Sequence, residues 1–199
     1  MGSADNRLRK KWQDYSGINA SAAENDFYTA FHDFFEETEF TIRAQPNEFN
    51  KIYIDVELPE EVLSEIYNPP KPIKRHGVFP DYAIGNGITG KTIYIEVKRQ
   101  DGWVEGGKRS DGRGNAHERS CKFFTPGLLK KLREHGHLGD SVLPFWTVFQ
   151  GNITRDPCRV REVTSWYEGY EDHFFFWRDT RDSKPLLEHF INHIMPLLV

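Results

Sequence analysis

Two acidic residues and a lysine lie at the ends of two short apolar segments, where they could hold a metal ion. Asp81 follows Pro80 at the start of the first segment, and Glu96 and Lys98 end the second, "TIYIEVK". Two neighbouring carboxylates repel each other unless a cation lies between them, and Mg²⁺ prefers oxygen ligands. Beside such a cation, the lysine can orient a water molecule and balance charge on a phosphate. The set therefore indicates metal-assisted phosphodiester hydrolysis.

A β-hairpin is the element that would bring these residues together. The pattern predicts strands over residues 81–84 and 92–98, with a glycine-rich turn between them. A register centred on the turn places Asp81 opposite Glu96, at ~5 Å between Cβ atoms. The carbonyl of Val97 is then a further candidate metal ligand. The simpler alternative is a surface hairpin with a salt bridge.

Basic charge is concentrated directly downstream of this hairpin. Residues 98–134 contain ten Lys or Arg and five Asp or Glu, a balance of +5, whereas the whole chain carries −4 and the remainder therefore −9. A basic segment on an acidic body is typical of a localised polyanion site. A solvated loop and helix face would give the same pattern.

The segment "GRGNAHERSCK", residues 112–122, combines small residues with side chains that can read bases. Asn115 can bond bidentately to adenine, and Arg113 and Arg119 can bond to guanine. A helix predicted from about residue 116 would point its N-terminus into the major groove. The alternative is a helix cap surrounded by surface charges.

These residues carry a resemblance to the type II restriction endonucleases of the EcoRI group, and within it to the MunI type. Pro80-Asp81 and Glu96-Val97-Lys98 match the PD…(D/E)xK nuclease signature, and "GNAHERS" resembles the group's recognition element. The longer segments "KRQDGWVEG", "GRGNAHERSCKFFTPGLLK", "LPFW" and "GNITRDPCRVRE" extend the likeness through much of residues 80–165.

The resemblance implies a role for each matching residue. Asp81 and Glu96 would bind Mg²⁺, and Lys98 would assist the attacking water. The implied DNA-binding residues are Arg113, Gly114, Asn115, Ala116, Arg119 and Lys122. Of these, Asn115, Ala116 and Arg119 would read an inner AATT, and Arg113 the outer pair of CAATTG. Cleavage before the first A would leave 5′ AATT overhangs, and a palindromic site implies a homodimer in which each subunit cuts one strand.

The resemblance also implies the fold, an α/β restriction-endonuclease-like core with a central mixed five-stranded sheet flanked by helices. We expect one domain over residues 1–199, with the catalytic hairpin at about 80–98 and the recognition loop and helix at about 102–135. Periodicity predicts further strands at 143–149 and 173–177. Helices are predicted at about 60–67, at about 116–135 with a kink or break at Pro126, from Asp156-Pro157 onward, and at the end of the chain.

Two smaller assignments concern helices. The predicted first helix places Phe27, Ala30, Phe31, Phe34 and Phe35 on one face. Glu24 fits a capping box before that helix, and a role at the metal is the alternative. His189 and His193 on the last helix are predicted to be surface or interface residues.

Composition narrows the class of protein. Hydrophobic residues make up 38% of the 199 residues, which suits a packed core, and two cysteines are too few for a disulfide framework. The sequence shows no signal-peptide pattern and no run of about 18 apolar residues, so we expect a cytoplasmic protein that does not enter membranes. Two alternatives remain for function. A resolvase or repair nuclease of the same core would not confine cutting to one sequence, and a non-cleaving DNA-binding protein would bind one sequence without cutting it in Mg²⁺.

Overall fold

A computed structural model of the protein describes residues 27–100 and 117–199, which build one mixed sheet between helices. The five strands lie in chain order across the sheet. The first three pair antiparallel, and the last two add in parallel. The strands are β1 (Phe40–Ala44), β2 (Tyr82–Asn86), β3 (Thr92–Arg99), β4 (Phe145–Gln150) and β5 (Phe174–Trp177).

The helices surround this sheet, and several begin where the sequence supplies a start signal. Proline occupies a first-turn position in the helices that begin at Pro126 and Pro157, where its missing N–H costs nothing. Asp156 caps the latter by accepting hydrogen bonds from the backbone N–H groups of residues 158 and 159. The α-helices are α1 (Phe27–Phe35), α2 (Glu60–Glu65), α3 (Pro126–Gly136), α4 (Pro157–Trp166), α5 (Lys184–His189) and α6 (Met195–Leu198). Short 3₁₀ helices span His117–Phe124, Asn152–Arg155 and Glu171–His173, and a π-helical turn spans Phe190–Ile194.

Each face of the sheet is covered by its own apolar core. On one face, α1 and the C-terminal helices pack on β2, β3 and β4 around residues such as Phe31, Trp146 and Phe190. On the other face, α3, α4 and the first 3₁₀ helix pack around Tyr94 and Phe145. Both faces of the middle of the sheet are therefore buried, and this is where the predicted catalytic strand lies.

Several sequence predictions are confirmed by this architecture. The predicted apolar face of α1 is buried at all five positions. The α/β fold with a mixed five-stranded sheet is also confirmed. Residues 116–135 do break at Pro126, although the part before the break is a 3₁₀ helix rather than an α-helix.

Two features differ from the sequence predictions. Strand β1 was not predicted, because its five residues include only two buried apolar side chains, Phe40 and Ile42. His189 is half-buried rather than fully exposed, since its ring stacks on the buried ring of Trp146 with a centroid distance of 5.6 Å. Within the parts of the chain that are described, the helices are too short or too polar to cross a lipid bilayer.

Candidate active site

The β2–β3 hairpin has the register that the sequence predicted. Tyr82 pairs with Ile95, and Gly85 pairs with Thr92. Asp81 precedes β2 directly, so the same register brings it opposite Glu96 on β3. Glycine suits position 90 in the connecting turn, because φ there is +72°, in the left-handed region.

Asp81, Val97 and Lys98 form a connected group at this end of the hairpin. The Val97 backbone N–H donates a 2.8 Å hydrogen bond to Asp81 Oδ2. Lys98 Nζ lies 3.4 Å from the same oxygen and forms a close ion pair with Glu96 Oε2. The carbonyl oxygen of Val97 lies 3.5 Å from Lys98 Nζ. Lys98 therefore bridges the carboxylates of Asp81 and Glu96. Val97 donates its backbone N–H to Asp81, and its carbonyl oxygen lies beside the lysine ammonium group.

Glu96 is the deeply buried member of the pair. Its side chain is 4% exposed, whereas that of Asp81 is 41% exposed. Burial raises the pKa of the Glu96 carboxyl, and the neighbouring Lys98 charge opposes that rise. Its second oxygen, Oε1, is buried and has no hydrogen-bond partner among the described residues. A buried carboxylate oxygen without a donor is suited to a metal ion.

A buried polar chain lies behind Glu96 and was missed by the sequence analysis. On the parallel neighbour β4, Thr147 pairs with Glu96, and Tyr167 Oη donates a 2.6 Å hydrogen bond to Thr147 Oγ1. Ser120, in the 3₁₀ helix of residues 117–124, also hydrogen-bonds to Tyr167. The signal was present in "LPFWTVF", where Thr147 is the one polar residue of an otherwise apolar segment.

The two described members of the predicted DNA-binding set lie on that same 3₁₀ helix. Arg119 and Lys122 are both exposed. Lys122 Nζ lies 4.9 Å from the centre of the Phe123 ring, and its charge acts to lower the pKa of Glu96. Lys122 thus contributes positive potential at Glu96 in the candidate active site. The other predicted DNA-binding residues (Arg113, Gly114, Asn115 and Ala116) and Glu24 lie outside the described residues.

A second acidic group lies elsewhere on the surface. His32, Asp33 and Glu36 on and just after α1 are all exposed, and their ligand atoms lie within 4.8 Å of one another. Exposed groups of this kind are common without a metal. Unlike the hairpin set, this group presents no buried oxygen that lacks a donor among the described residues.

The mixed sheet, with two carboxylates and a lysine at its antiparallel pair, defines a nuclease with a restriction-endonuclease-like core. The sequence model of the family described as "Type II restriction enzyme MunI" matches residues 1–199, and the chain belongs to this family of type II restriction enzymes.

Individual relatives agree with this assignment. The type II restriction enzyme MunI of Mycoplasma sp is 48% identical over 193 residues, which are 96% of this chain and 96% of that protein. The crystal structure of MunI restriction endonuclease in complex with cognate DNA superposes with a TM-score of 0.84 at 47% identity. That match covers 94% of this chain and 97% of the other.

Proposed function

We propose that this type II restriction enzyme uses Mg²⁺ to hydrolyse double-stranded DNA at C/AATTG, leaving 5′ AATT overhangs. The observation that carries the proposal is the pairing of Asp81 with a buried Glu96 whose Oε1 lacks a donor, both bridged by Lys98. The similar MunI restriction endonuclease was crystallised in complex with its cognate DNA, which supports double-stranded DNA as the substrate.

The donor set fits a hard divalent cation. Restriction endonucleases generally use such a cation, and Asp81, Glu96 and the Val97 carbonyl offer only oxygen atoms. When bound, the cation polarises the scissile phosphate and makes a water molecule more acidic. Mg²⁺ is the cation we propose, because it is held by few carboxylates and keeps several waters.

The remaining chemistry falls to Lys98 and the backbone around it. Its ammonium group would hold the attacking water in line with the scissile P–O bond and offset the charge that develops on the phosphate. The Val97 N–H holds one Asp81 oxygen at 2.8 Å, which fixes the carboxylate for binding. Burial of Glu96 on the sheet would hold its carboxylate in place when DNA binds.

The proposed specificity rests on the segment that follows the hairpin. Asn115, Ala116 and Arg119 would read the inner AATT, and Arg113 the outer base pair, with Gly114 and Lys122 contacting the DNA beside them. We place the catalytic hairpin at about 80–98 and the recognition segment at about 102–135 of a single domain. A homodimer would present two such sites to the two strands of a palindrome.

A plasmid digest tests the proposal. The substrate carries one CAATTG site, one GAATTC site and further AATT-centred hexamers, and the cut ends are sequenced after incubation in Mg²⁺ or in Ca²⁺. We expect cuts at CAATTG with AATT overhangs in Mg²⁺ only. Cuts at another AATT-centred hexamer would retain the nuclease and overturn the role of Arg113. Cuts without sequence preference would favour the resolvase or repair alternative.

Variants locate the metal site independently of cleavage. Glu96→Gln should lose cleavage and also lose the rise in melting temperature that Ca²⁺ gives the unsubstituted protein. Asp33→Asn, in the exposed group on α1, is the matched control and should retain both. Specific DNA binding without cleavage in any divalent cation would favour the non-cleaving alternative.

A further inference from the structure

An arm of the chain, residues 53–76, stands away from the two cores. Every residue in it is exposed, and α2, which lies within it, has no buried residue. Backbone hydrogen bonds close its base, from Tyr53 N to His76 O at 3.1 Å and from His76 N to Asn50 O at 3.0 Å. Glycine at position 77 allows the two chain segments at this base to approach closely, because a Cβ atom there would lie 1.8 Å from the backbone oxygen of Phe49. The arm is thus anchored at its base and open along its length.

The arm carries most of the exposed large apolar side chains of the described residues. Outside the arm, the exposed large apolar residues of the described part of the chain are Phe79, Ile88 and Val199. Tyr67 is fully exposed, and Val56 and Ile73 are each 54% exposed. The arm's exposed apolar residues are Tyr53, Ile54, Val56, Leu58, Val62, Leu63, Ile66, Tyr67 and Ile73. A concentration of this kind is typical of a protein–protein contact.

Charge divides the arm into two halves of opposite sign. Its first half, residues 53–66, contains five acidic residues and no Lys or Arg, and its second half, residues 67–76, contains three basic residues and no Asp or Glu. The acidic residues are Asp55, Glu57, Glu60, Glu61 and Glu65, and the basic ones are Lys71, Lys74 and Arg75. Two identical arms related by a two-fold axis can place each acidic half on the other's basic half.

The same charges argue against DNA as the occupant. With five acidic and three basic residues, the arm carries 3 − 5 = −2, and phosphates would be repelled from its first half. Apolar side chains also gain little against a phosphate backbone. We propose that the arms of two copies of this chain pack against each other. This inference rests on the homodimer of the proposed function and assigns its contact surface.

Charge reversal with rescue tests the arm directly. Asp55→Lys with Glu57→Lys and Glu65→Lys gives the first half a charge of 3 − 2 = +1, so both halves become basic. Lys71→Glu with Lys74→Glu gives the second half a charge of 1 − 2 = −1, so both halves become acidic. These positions are exposed, and Lys at 65 favours the last turn of α2. Sedimentation without DNA should show each variant dimer weakened by about tenfold or more. An equimolar mixture of the two variants should dimerise again, because opposite halves then meet.

The outcomes separate the competing explanations. An unsubstituted chain that sediments as a monomer would overturn both the homodimer and the arm contact. Dimeric variants, or failure of the mixture to restore a dimer, would overturn the arm contact alone. If the Lys71/Lys74 variant remains dimeric but loses DNA affinity, the arm contacts DNA instead. Cleavage of CAATTG by the unsubstituted chain is scored separately, so failure of the nuclease proposal is distinguishable.

An apolar variant gives a second measurement. Leu58→Ser with Leu63→Ser removes exposed apolar surface from the arm and should also weaken the dimer, while the melting temperature measured at dilutions where the chain is monomeric stays unchanged. Ile88→Ser, at a residue 72% exposed outside the arm, is the matched control and should leave sedimentation unchanged. If the Leu58/Leu63 variant and the Ile88 variant dimerise equally well, the proposal is overturned.

Discussion

The Tyr167 hydroxyl donates a 2.6 Å hydrogen bond to Thr147 Oγ1, and both residues are completely buried. Thr147 is the strand neighbour of Glu96, and Tyr167 lies just beyond α4. Ser120, on the 3₁₀ helix that carries Arg119 and Lys122, bonds to the same tyrosine. One buried hydroxyl thus joins the strand beside the predicted catalytic carboxylate to the element that carries predicted DNA contacts.

Tyr167→Phe should therefore destabilise the protein. The phenylalanine ring would fill the same space, but the buried hydroxyl groups of Thr147 and Ser120 would lose their hydrogen-bond partner. This should lower the free energy of unfolding by about 1–3 kcal/mol. Burial raises the pKa of Tyr167 well above its ordinary value, so the hydroxyl stays protonated and the expected loss is the same from pH 6 to 9. Chemical denaturation measures the change. Tyr67→Phe, at a fully exposed tyrosine, is the control and should change stability by less than about 0.5 kcal/mol.

Lys98→Met should make the fold depend more strongly on divalent cations. In the absence of metal, the lysine is the charge that bridges Asp81 and Glu96, and its removal leaves two facing carboxylates. We expect lost cleavage together with a larger Ca²⁺-induced rise in melting temperature than in the unsubstituted protein, by about 2–4 °C for each kcal/mol of added binding energy. A smaller rise than in the unsubstituted protein would contradict binding between the two carboxylates. Lys184→Met, at an exposed lysine at the start of α5, is the control and should leave the Ca²⁺-induced rise in melting temperature unchanged.

Gly136→Ala should disturb the start of β3, the strand that carries Glu96 and Lys98. A Cβ atom at position 136 would lie 2.4 Å from the carbonyl oxygen of Thr92, the first residue of β3. Either α3 or β3 must move, at about 1–3 kcal/mol. Gly127→Ala, in the same helix with nothing within 4 Å, should instead stabilise by about 0.5–1 kcal/mol. Thermal unfolding of both variants checks the prediction, and equal effects would contradict it.

His189 should make the protein less stable as the solution becomes acidic. Burial against Trp146 lowers its pKa to about 4, with the charge of His193 acting in the same direction, while its Nε2–H donates to the Asp172 carbonyl at 2.8 Å. Below its ordinary pKa of about 6.5, the unfolded chain takes up a proton that the folded chain resists until about pH 4. The contribution of His189 to the free energy of unfolding is therefore fully present above pH 6.5 and is lost as the pH falls toward 4.

His189→Gln removes this titration while keeping an N–H for the Asp172 carbonyl. Its neighbours Phe175, His173 and His193 remain in place, so their own contributions are common to both proteins. Between pH 7 and 4.5, the variant should lose about 1–2 kcal/mol less stability than the unsubstituted chain. Urea denaturation at the two pH values gives the comparison, and an identical loss in both proteins would assign the acid sensitivity to other groups.

The sequence by itself determined the parts of this protein that depend on local spacing. Aromatic residues at helical spacing defined the buried face of α1, and Pro126 marked the break before α3 because proline cannot continue a preceding helix. The period-two alternation and the glycine turn determined the hairpin register, since a slip by one residue would move every side chain to the other face. The pairing of Asp81 with Glu96 follows from these local rules.

Only the tertiary structure decided what surrounds that pair. The five residues of β1 carry too weak a pattern to predict, and they form a strand because β2 offers an edge to pair with. The burial of Glu96, the stacking of His189 on Trp146, and the bond between Tyr167 and Thr147 all join residues far apart in the chain. Such contacts depend on how helices and strands pack in three dimensions, and no periodicity along the sequence encodes them.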